Sequence, residues 1–334
     1  MATVPAPCGM HHHHRCRRPI SPPAARPATG RACLLAYASL RASPSPTVGR
    51  EAAVARMPRL AHRDVMLSLA RQAEARLGAR LLPSQVPADV ADFSDDDGRA
   101  LGSVDVRRGA PGSSVHRCCA ATSHRAQIDF MLEAWFHRAL PGGGGRAIDI
   151  TSLIVFLNGA TDAPHFLMEL IQGGPSSLVI LLDLFPRRDL PLHPSYVDAY
   201  YAATGVDAHR RDIVDRVPQV RPYVSPSLLV RSLWSPTAVV VDVQCGEGGA
   251  AELEEIVRGQ IASSAAAVLD VWIERCAGSV VEMEAAERES LVARDKMIAT
   301  TSVELNLSAN LPKMFSADVS GRVVAEISKP FVGS

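Results

Sequence analysis

The links between the apolar runs in the middle of this chain are too short for anything but hairpins. Ser103-Val-Asp-Val-Arg107, Gln127 to Phe136, Ala147 to Leu157, Pro164 to Gln172 and Ser177 to Leu184 each read as a strand. The last four are separated by Pro141-Gly-Gly-Gly-Gly145, by Asn158-Gly159 to Ala163, and by Gly173-Gly-Pro-Ser176. A parallel crossover needs a dozen or more residues, whereas antiparallel neighbours need only a turn. The centre of the chain is therefore expected to be an antiparallel meander and not a doubly wound parallel sheet.

Helices flank that meander in sequence. Arg63 to Arg80 repeats apolar residues at Val65/Met66, Leu69, Ala73 and Leu77. Glu252 to Cys276 does so at Leu253, Ile256/Val257, Ile261, Ala265, Val268/Leu269, Trp272 and Cys276. Further helices are expected at Ser195 to Thr204, Glu282 to Met297 and Ala317 to Ile327. Ser177-Leu-Val-Ile-Leu-Leu-Asp-Leu184 is almost wholly apolar, which calls for cover on both faces of the sheet. Helices before and after one central sheet give a three-layer α/β/α sandwich. No interior linker, internal repeat or apolar run long enough to span a membrane stands out.

Within the fourth of these strands lies a lone carboxylate. In His165-Phe-Leu-Met-Glu-Leu-Ile-Gln172, period two puts His165, Leu167, Glu169 and Ile171 on one face. An edge strand would simply let Glu169 reach water. With strands on both sides the residue is internal instead, and burial among Leu and Ile makes its carboxyl hold a proton to higher pH. Such a group can donate that proton near neutrality.

The first fifty residues belong to another class. They hold seven Arg, eight Pro and no Lys, Asp or Glu, with four consecutive histidines at His11 to His14. An acid-free, Arg-containing leader without an apolar core is the composition of an organelle-targeting peptide, so residues 1–50 are expected to be a disordered transit segment. Without them the chain has 28 Lys+Arg against 35 Asp+Glu, about −7, a poor balance for binding nucleic acid. The seven cysteines form no Cys-x-x-Cys pair. Cys118-Cys119 with His116 and His124 make at best a weak metal candidate, inside a stretch, Val115 to Ala126, that reads as an irregular insertion. Ala238 to Val243 followed by Gly246-Glu-Gly-Gly-Ala-Ala251 has the order of a dinucleotide site. Glu247, Glu252, Glu254 and Glu255 crowd the following helix start, however, and would repel a pyrophosphate.

His62-Arg-Asp64, Leu81-Leu-Pro83, Pro164 to Gln172, Leu182-Asp-Leu184, Pro222-Tyr-Val-Ser-Pro-Ser-Leu228, Val230-Arg-Ser232, Ser235-Pro-Thr-Ala238 and Pro312-Lys-Met-Phe315 stand in unbroken order from Met57 to the C-terminus. Together they resemble red chlorophyll catabolite reductase of plants. That resemblance implies the α/β/α sandwich of ferredoxin-dependent bilin reductases, with no flavin, nicotinamide or metal of its own. It also implies electrons from reduced ferredoxin, an open-chain tetrapyrrole substrate (red chlorophyll catabolite), and primary fluorescent chlorophyll catabolite as product. A chloroplast location, a homodimer and proximity to pheophorbide a oxygenase follow from it as well.

Site residues carry over singly. Glu169 matches the family's pocket acid; Tyr223, Val224 and Ser225 match its substrate-contacting loop, stiffened by Pro222 and Pro226. Trp234 falls at a position resembling the family's determinant of product stereochemistry. Where the family's second pocket acid is expected, this chain has Asn306 in Val303-Glu-Leu-Asn-Leu307, an amide that hydrogen-bonds but does not ionise. Glu304 or water would then have to compensate. Val115 to Ala126 has no counterpart in the family pattern. A non-catalytic tetrapyrrole carrier and a scaffold in a chlorophyll-breakdown complex are the competing readings. An acidic ferredoxin would need a local basic patch, for which Arg187, Arg188, Arg210 and Arg211 are the candidates.

Overall fold

The computed structural model describes residues 46–111, 127–141, 146–302 and 307–332. Helices α1 (Pro46–Ala55), α2 (Ala61–Leu77) and the single turn α3 (Ala88–Ala91) come first. The strands β1 (Phe93–Ser94), β2 (Ala100–Arg108), β3 (Ile128–Ala139), β4 (Ala147–Leu157), β5 (His165–Gly174) and β6 (Ser177–Phe185) follow. Then come α4 (Pro194–Val197, continued by a π-turn), α5 (Val206–Val214), β7 (Val220–Pro222), α6 (Leu228–Leu233) and β8 (Val239–Gln244). A long helix made of α7 (Ala250–Ile256), a π-turn and α8 (Ala262–Arg275) precedes α9 (Ala285–Ser302), α10 (Ser308–Met314) and α11 (Ala317–Val332).

All eight strands form one sheet in the order β1-β2-β3-β4-β5-β6-β8-β7. Every neighbouring pair is antiparallel, and from β3 to β6 the short links require it. On one face Leu153, Phe166, Met168, Leu170, Ile180 and Val241 are buried against Met66, Leu69 and Ala73 of α2 and Ile261, Leu269 and Trp272 of the long helix. Trp272 also donates its indole N–H to the Pro164 carbonyl at 2.8 Å, so an aromatic body and a polar tip are both satisfied. On the other face Phe130, Leu132, Ala134 and Phe136 meet Ile298 and Ala299 of α9, Leu311 and Met314 of α10 and Val323 and Ile327 of α11. The α/β/α sandwich is thus built, but its second cover is concentrated over β1 to β4.

Three expectations need correction. The helix Ala250–Arg275 is long and apolar enough to cross a membrane by length and composition alone, although no such run stands out in the sequence. Its apolar side is the stripe that covers the sheet. Residues 46–50 were counted in the leader, yet α1 starts at Pro46, and Arg50 lies 5% exposed with its guanidinium on Glu133 at 3.0 and 3.1 Å. Helices α1, α3, α5, α6 and α10 were not anticipated, because none is long enough to show several apolar repeats. The Gly-rich loop after β8 does turn through left-handed Gly246 and Gly248 (φ 73° and 77°) into α7. Since β8 is antiparallel to both neighbours, the parallel strand–helix–strand unit of a dinucleotide site is missing from it. Asn306, Glu304, the leader up to residue 45 and residues 112–126, with His116, Cys118, Cys119 and His124, lie outside the described residues.

Candidate active site

Glu169 sits in the middle of a single rung across the sheet. Register pairs run Val104↔Ala134↔Ser152↔Glu169↔Leu181↔Val240 from β2 to β8. Residues facing each other across strands point to the same side, so Glu169, Ser152 and Leu181 share a face. Ile150, Ile154, Leu167, Ile171, Val179 and Val240 lie on it too, and each is half-buried. Their alternates Phe166, Met168 and Leu170 are fully buried on the other side. This part of the sheet therefore presents an apolar floor with one carboxyl at its centre.

The Ser152 hydroxyl donates to Glu169 Oε1 at 3.3 Å. Burial raises the Glu169 pKa above its ordinary value, and the Ser152 hydrogen bond only partly opposes this. Glu169 as a residue is half-buried. A half-open acid that keeps its proton is what proton donation to a bound molecule needs. Ser152 was missed in the sequence, since a serine in an apolar strand carries no signal until the register is known.

The 223–225 loop, expected to contact substrate, is attached to the end of the same rung. The Tyr223 backbone N–H donates to the Val240 carbonyl at 3.0 Å, two strands and about 10 Å from Glu169. Ser225 Oγ accepts from the Ser227 N–H at 3.3 Å, and Ser227 Oγ caps α6 by accepting from Val230 N–H at 3.3 Å. These bonds hold Val224 out, 63% exposed, with Leu228 at 74% beside it in sequence. Such large exposed aliphatics are spare contact surface. Trp234 ends α6 and packs edge-on against Phe185, with ring centres 5.7 Å apart. Phe185 pairs with His165, four residues from Glu169, so the indole lies at the far end of the floor, roughly 13 Å along the strand. Its buried N–H has no hydrogen-bond partner among the described residues.

His165 shares the face of Glu169 but is fastened. Its Nδ1 accepts the Leu157 N–H at 3.0 Å, which leaves Nε2–H to donate to Asp295 of α9 at 3.0 Å. Burial drives its pKa down to about 4. Arg187 completes the knot: its guanidinium pairs with Asp295 and donates to the Asn158 and Thr161 carbonyls at 3.2 and 2.6 Å. The side chain of Arg187 has no exposed surface, which overturns its place in a docking patch. Arg188 pairs with Asp162 and Glu287, and Arg210 and Arg211 both pair with Asp207, so those three remain at the surface but engaged.

A separate cavity of about 310 Å³ lies between the stacked Phe130–Phe156 pair, α9 and α11. It includes neither Glu169 nor the 222–234 segment, and its volume is at the lower edge of the roughly 300–1,000 Å³ of small-molecule sites. The proton-holding carboxyl thus lies outside that cavity, on the half-buried floor around Glu169.

The fold is similar to that of phytochromobilin synthase from tomato, solved with biliverdin. Its TM-score against this chain is 0.58 at 13% identity, covering 79% of this chain and 82% of that one. The fold is therefore that of a bilin reductase. Residues 61–329 match the model of the red chlorophyll catabolite reductase family. Red chlorophyll catabolite reductase 1, chloroplastic, of Oryza sativa subsp. japonica is 53% identical over 277 residues, 82% of this chain and 79% of the relative. Red chlorophyll catabolite reductase, chloroplastic, of Arabidopsis thaliana is 39% identical over 272 residues, 80% of each, and red chlorophyll catabolite reductase of Hordeum vulgare is 54% identical over 204 residues, 61% of this chain and 98% of the relative. The chain belongs to the red chlorophyll catabolite reductase family.

Proposed function

We propose that this chain reduces red chlorophyll catabolite to primary fluorescent chlorophyll catabolite in the chloroplast, with reduced ferredoxin as electron donor and no flavin, nicotinamide or metal of its own. The observation that carries the reading is Glu169: a proton-holding carboxyl on an open apolar floor, in a chain whose relatives bear this name. The pigment lies along the floor, its conjugated face on Ile150, Ile154, Leu167 and Leu181. Glu169 supplies or directs a proton at one methine bridge. Tyr223, Val224 and Ser225 close over one edge of the pigment, and Trp234 limits which face is open to protonation. Asn306 binds a pyrrole or lactam edge without titrating. Ferredoxin docks through surface Arg188, Arg210 and Arg211, and the enzyme works as a homodimer near pheophorbide a oxygenase after loss of its leader.

An anaerobic assay with red catabolite and reduced ferredoxin tests this directly. A blue-fluorescent product is expected. Tight pigment binding with no product under any reductant would favour the carrier reading, which Asn306 supports, and a stoichiometric flavin or metal in the active protein would overturn the cofactor statement.

A further inference from the structure

Asp183 is a second carboxyl on the floor of the site, and the reaction as proposed above leaves it unused. It pairs with Leu167 across β5–β6, so it stands on the face of Glu169, one strand over and two residues along. Such diagonal neighbours are roughly 7–8 Å apart. Asp183 is 2% exposed and lies one residue past the last β6–β8 pair, Leu182↔Val239, where the turn leading into β8 closes over it. Its partners are hydroxyl and amide, not cation. Ser235 N–H donates to Oδ2 at 2.9 Å and Ser235 Oγ to Oδ1 at 2.5 Å. Ser235 Oγ is in turn 3.0 Å from the Thr237 hydroxyl, which is half-exposed.

We propose that Asp183, Ser235 and Thr237 form a proton-uptake relay that resupplies the pigment face from the surface. The inference rests on the reductase reading. Adding two electrons to the pigment also adds two protons, and the position where a second pocket acid is expected holds Asn306. Glu169 provides one proton. The second leaves the Asp183 carboxyl as its O–H breaks and a bond to the pigment forms. Ser235 passes its hydroxyl proton to Oδ1, Thr237 passes its own to Ser235, and water reprotonates Thr237. The electron-donor protein supplies both electrons, so no other co-reactant enters. Burial, the largest cause, lifts Asp183 to about 7, which the two Ser235 bonds only partly oppose; the group thus exchanges protons in the range where the relay works. The charged or titratable groups around it are Glu169 on β5, Tyr201, whose hydroxyl donates to the Leu184 carbonyl, and Arg210 on α5, held by Asp207.

Three variants test the relay, read by ferredoxin-driven turnover against pH, pigment affinity and the infrared carboxyl band. Asp183→Asn should slow turnover on the order of 10² while affinity changes little. Thr237→Val leaves the Ser235 N–H on Asp183 yet breaks the path, so it should slow turnover, alter the pH profile and be rescued by a small diffusible acid. A protonated-carboxyl band that titrates near pH 7 should vanish in Asp183→Asn and shift in Ser235→Ala. The relay is overturned if Thr237→Val keeps the wild-type rate and pH profile. It is equally overturned if Asp183→Asn loses affinity and folding stability in step with turnover, which marks a structural clamp. A wild-type protein that binds pigment without reducing it sinks the reductase reading instead, and the carboxyl band, recorded without pigment, then decides by itself whether Asp183 stores the proton.

Discussion

The two faces of the sheet treat their acids differently. On the face under α2, strand carboxylates meet guanidinium groups: Asp149 takes Arg63 and the ring of His137, and Glu133 takes Arg50, which also reaches Glu74. On the opposite face, Glu169 and Asp183 meet only hydroxyls and an amide, and among the described residues neither has an ion-pair partner. A buried pair serves as a fastening, because separating it strands a charge in low dielectric. An acid held by hydroxyls can gain and lose a proton without stranding a partner. Under α2 the strand carboxylates thus fasten elements, whereas on the Glu169 face the strand acids can handle protons and the fastening comes from Asp295 of α9 with Arg187 and His165. Burial alone does not draw the line: Glu133 is also lifted to about 7, burial outweighing the attraction of Arg50.

The largest effect expected from this contrast is catalytic. Glu169→Gln keeps size and much of the hydrogen bonding, yet should cost on the order of 10²–10⁴ in turnover, with pigment affinity and unfolding midpoint nearly unchanged. Because burial raises the Glu169 pKa, its proton is lost only above the ordinary range, so wild-type activity should fall on the alkaline side and that limb should go in the variant. A fully active Glu169→Gln enzyme would remove the residue from catalysis.

On the covered face the same kind of change should act on stability instead. Asp149→Asn strands the buried Arg63, 2% exposed, and should cost roughly 3–5 kcal/mol in urea unfolding. Arg187→Glu, which places a second acid against Asp295, should destabilise by a similar amount and not merely weaken ferredoxin docking. Docking lost at unchanged stability would show that Arg187 is at the surface after all.

A smaller effect comes from the histidines. Burial lowers His62 to about 3 and His137 to about 4, below the value of about 6.5 in an unfolded chain. Between pH 6.5 and 4 the unfolded chain therefore takes up protons that the fold refuses, and their contribution to stability is lost as pH falls through that window. Glu133 and Asp183 act in the opposite sense, since the fold keeps their protons up to about 7 while the unfolded chain has released them. His62→Gln should accordingly flatten the acid side of an unfolding-midpoint profile, and an unchanged slope would show that His62 is charged in the fold.

Much of this division was legible in the sequence, for a definite reason. Short links dictate antiparallel pairing, and alternation in β5 dictates which side Glu169 takes, so both follow from local spacing. Asp183 carries the same signal, a lone acid in an apolar run, but a run as continuous as Ser177 to Leu184 signals only coverage and gives the acid no side. Ser152, Ser235 and the burial of Arg187 depend on contacts between residues far apart in the chain, such as Arg187 with Asp295 across 108 positions. An arginine pair looks like solvated surface until the helix that neutralises it is in place.

The smallest expected change is Asn306→Asp. Position 306 is where the family resemblance expects a pocket acid, and the amide there can donate or accept a hydrogen bond but cannot supply a proton. If Asp183 already provides the second proton, restoring an acid adds a redundant group, and turnover should stay equal or rise slightly. On the family reading a carboxyl at 306 shares the pocket with Glu169 and would also raise the pKa of both, since two like charges resist ionising together. The alkaline limb of activity should then move to higher pH while pigment affinity holds. Combining the change with Asp183→Asn sharpens the comparison: an added acid that restores the rate of the slowed Asp183 variant would show the two positions to be interchangeable proton stores. An Asn306→Asp enzyme with no activity would instead show a site rebuilt around the neutral amide, with the pigment edge hydrogen-bonded in a way a carboxylate cannot copy.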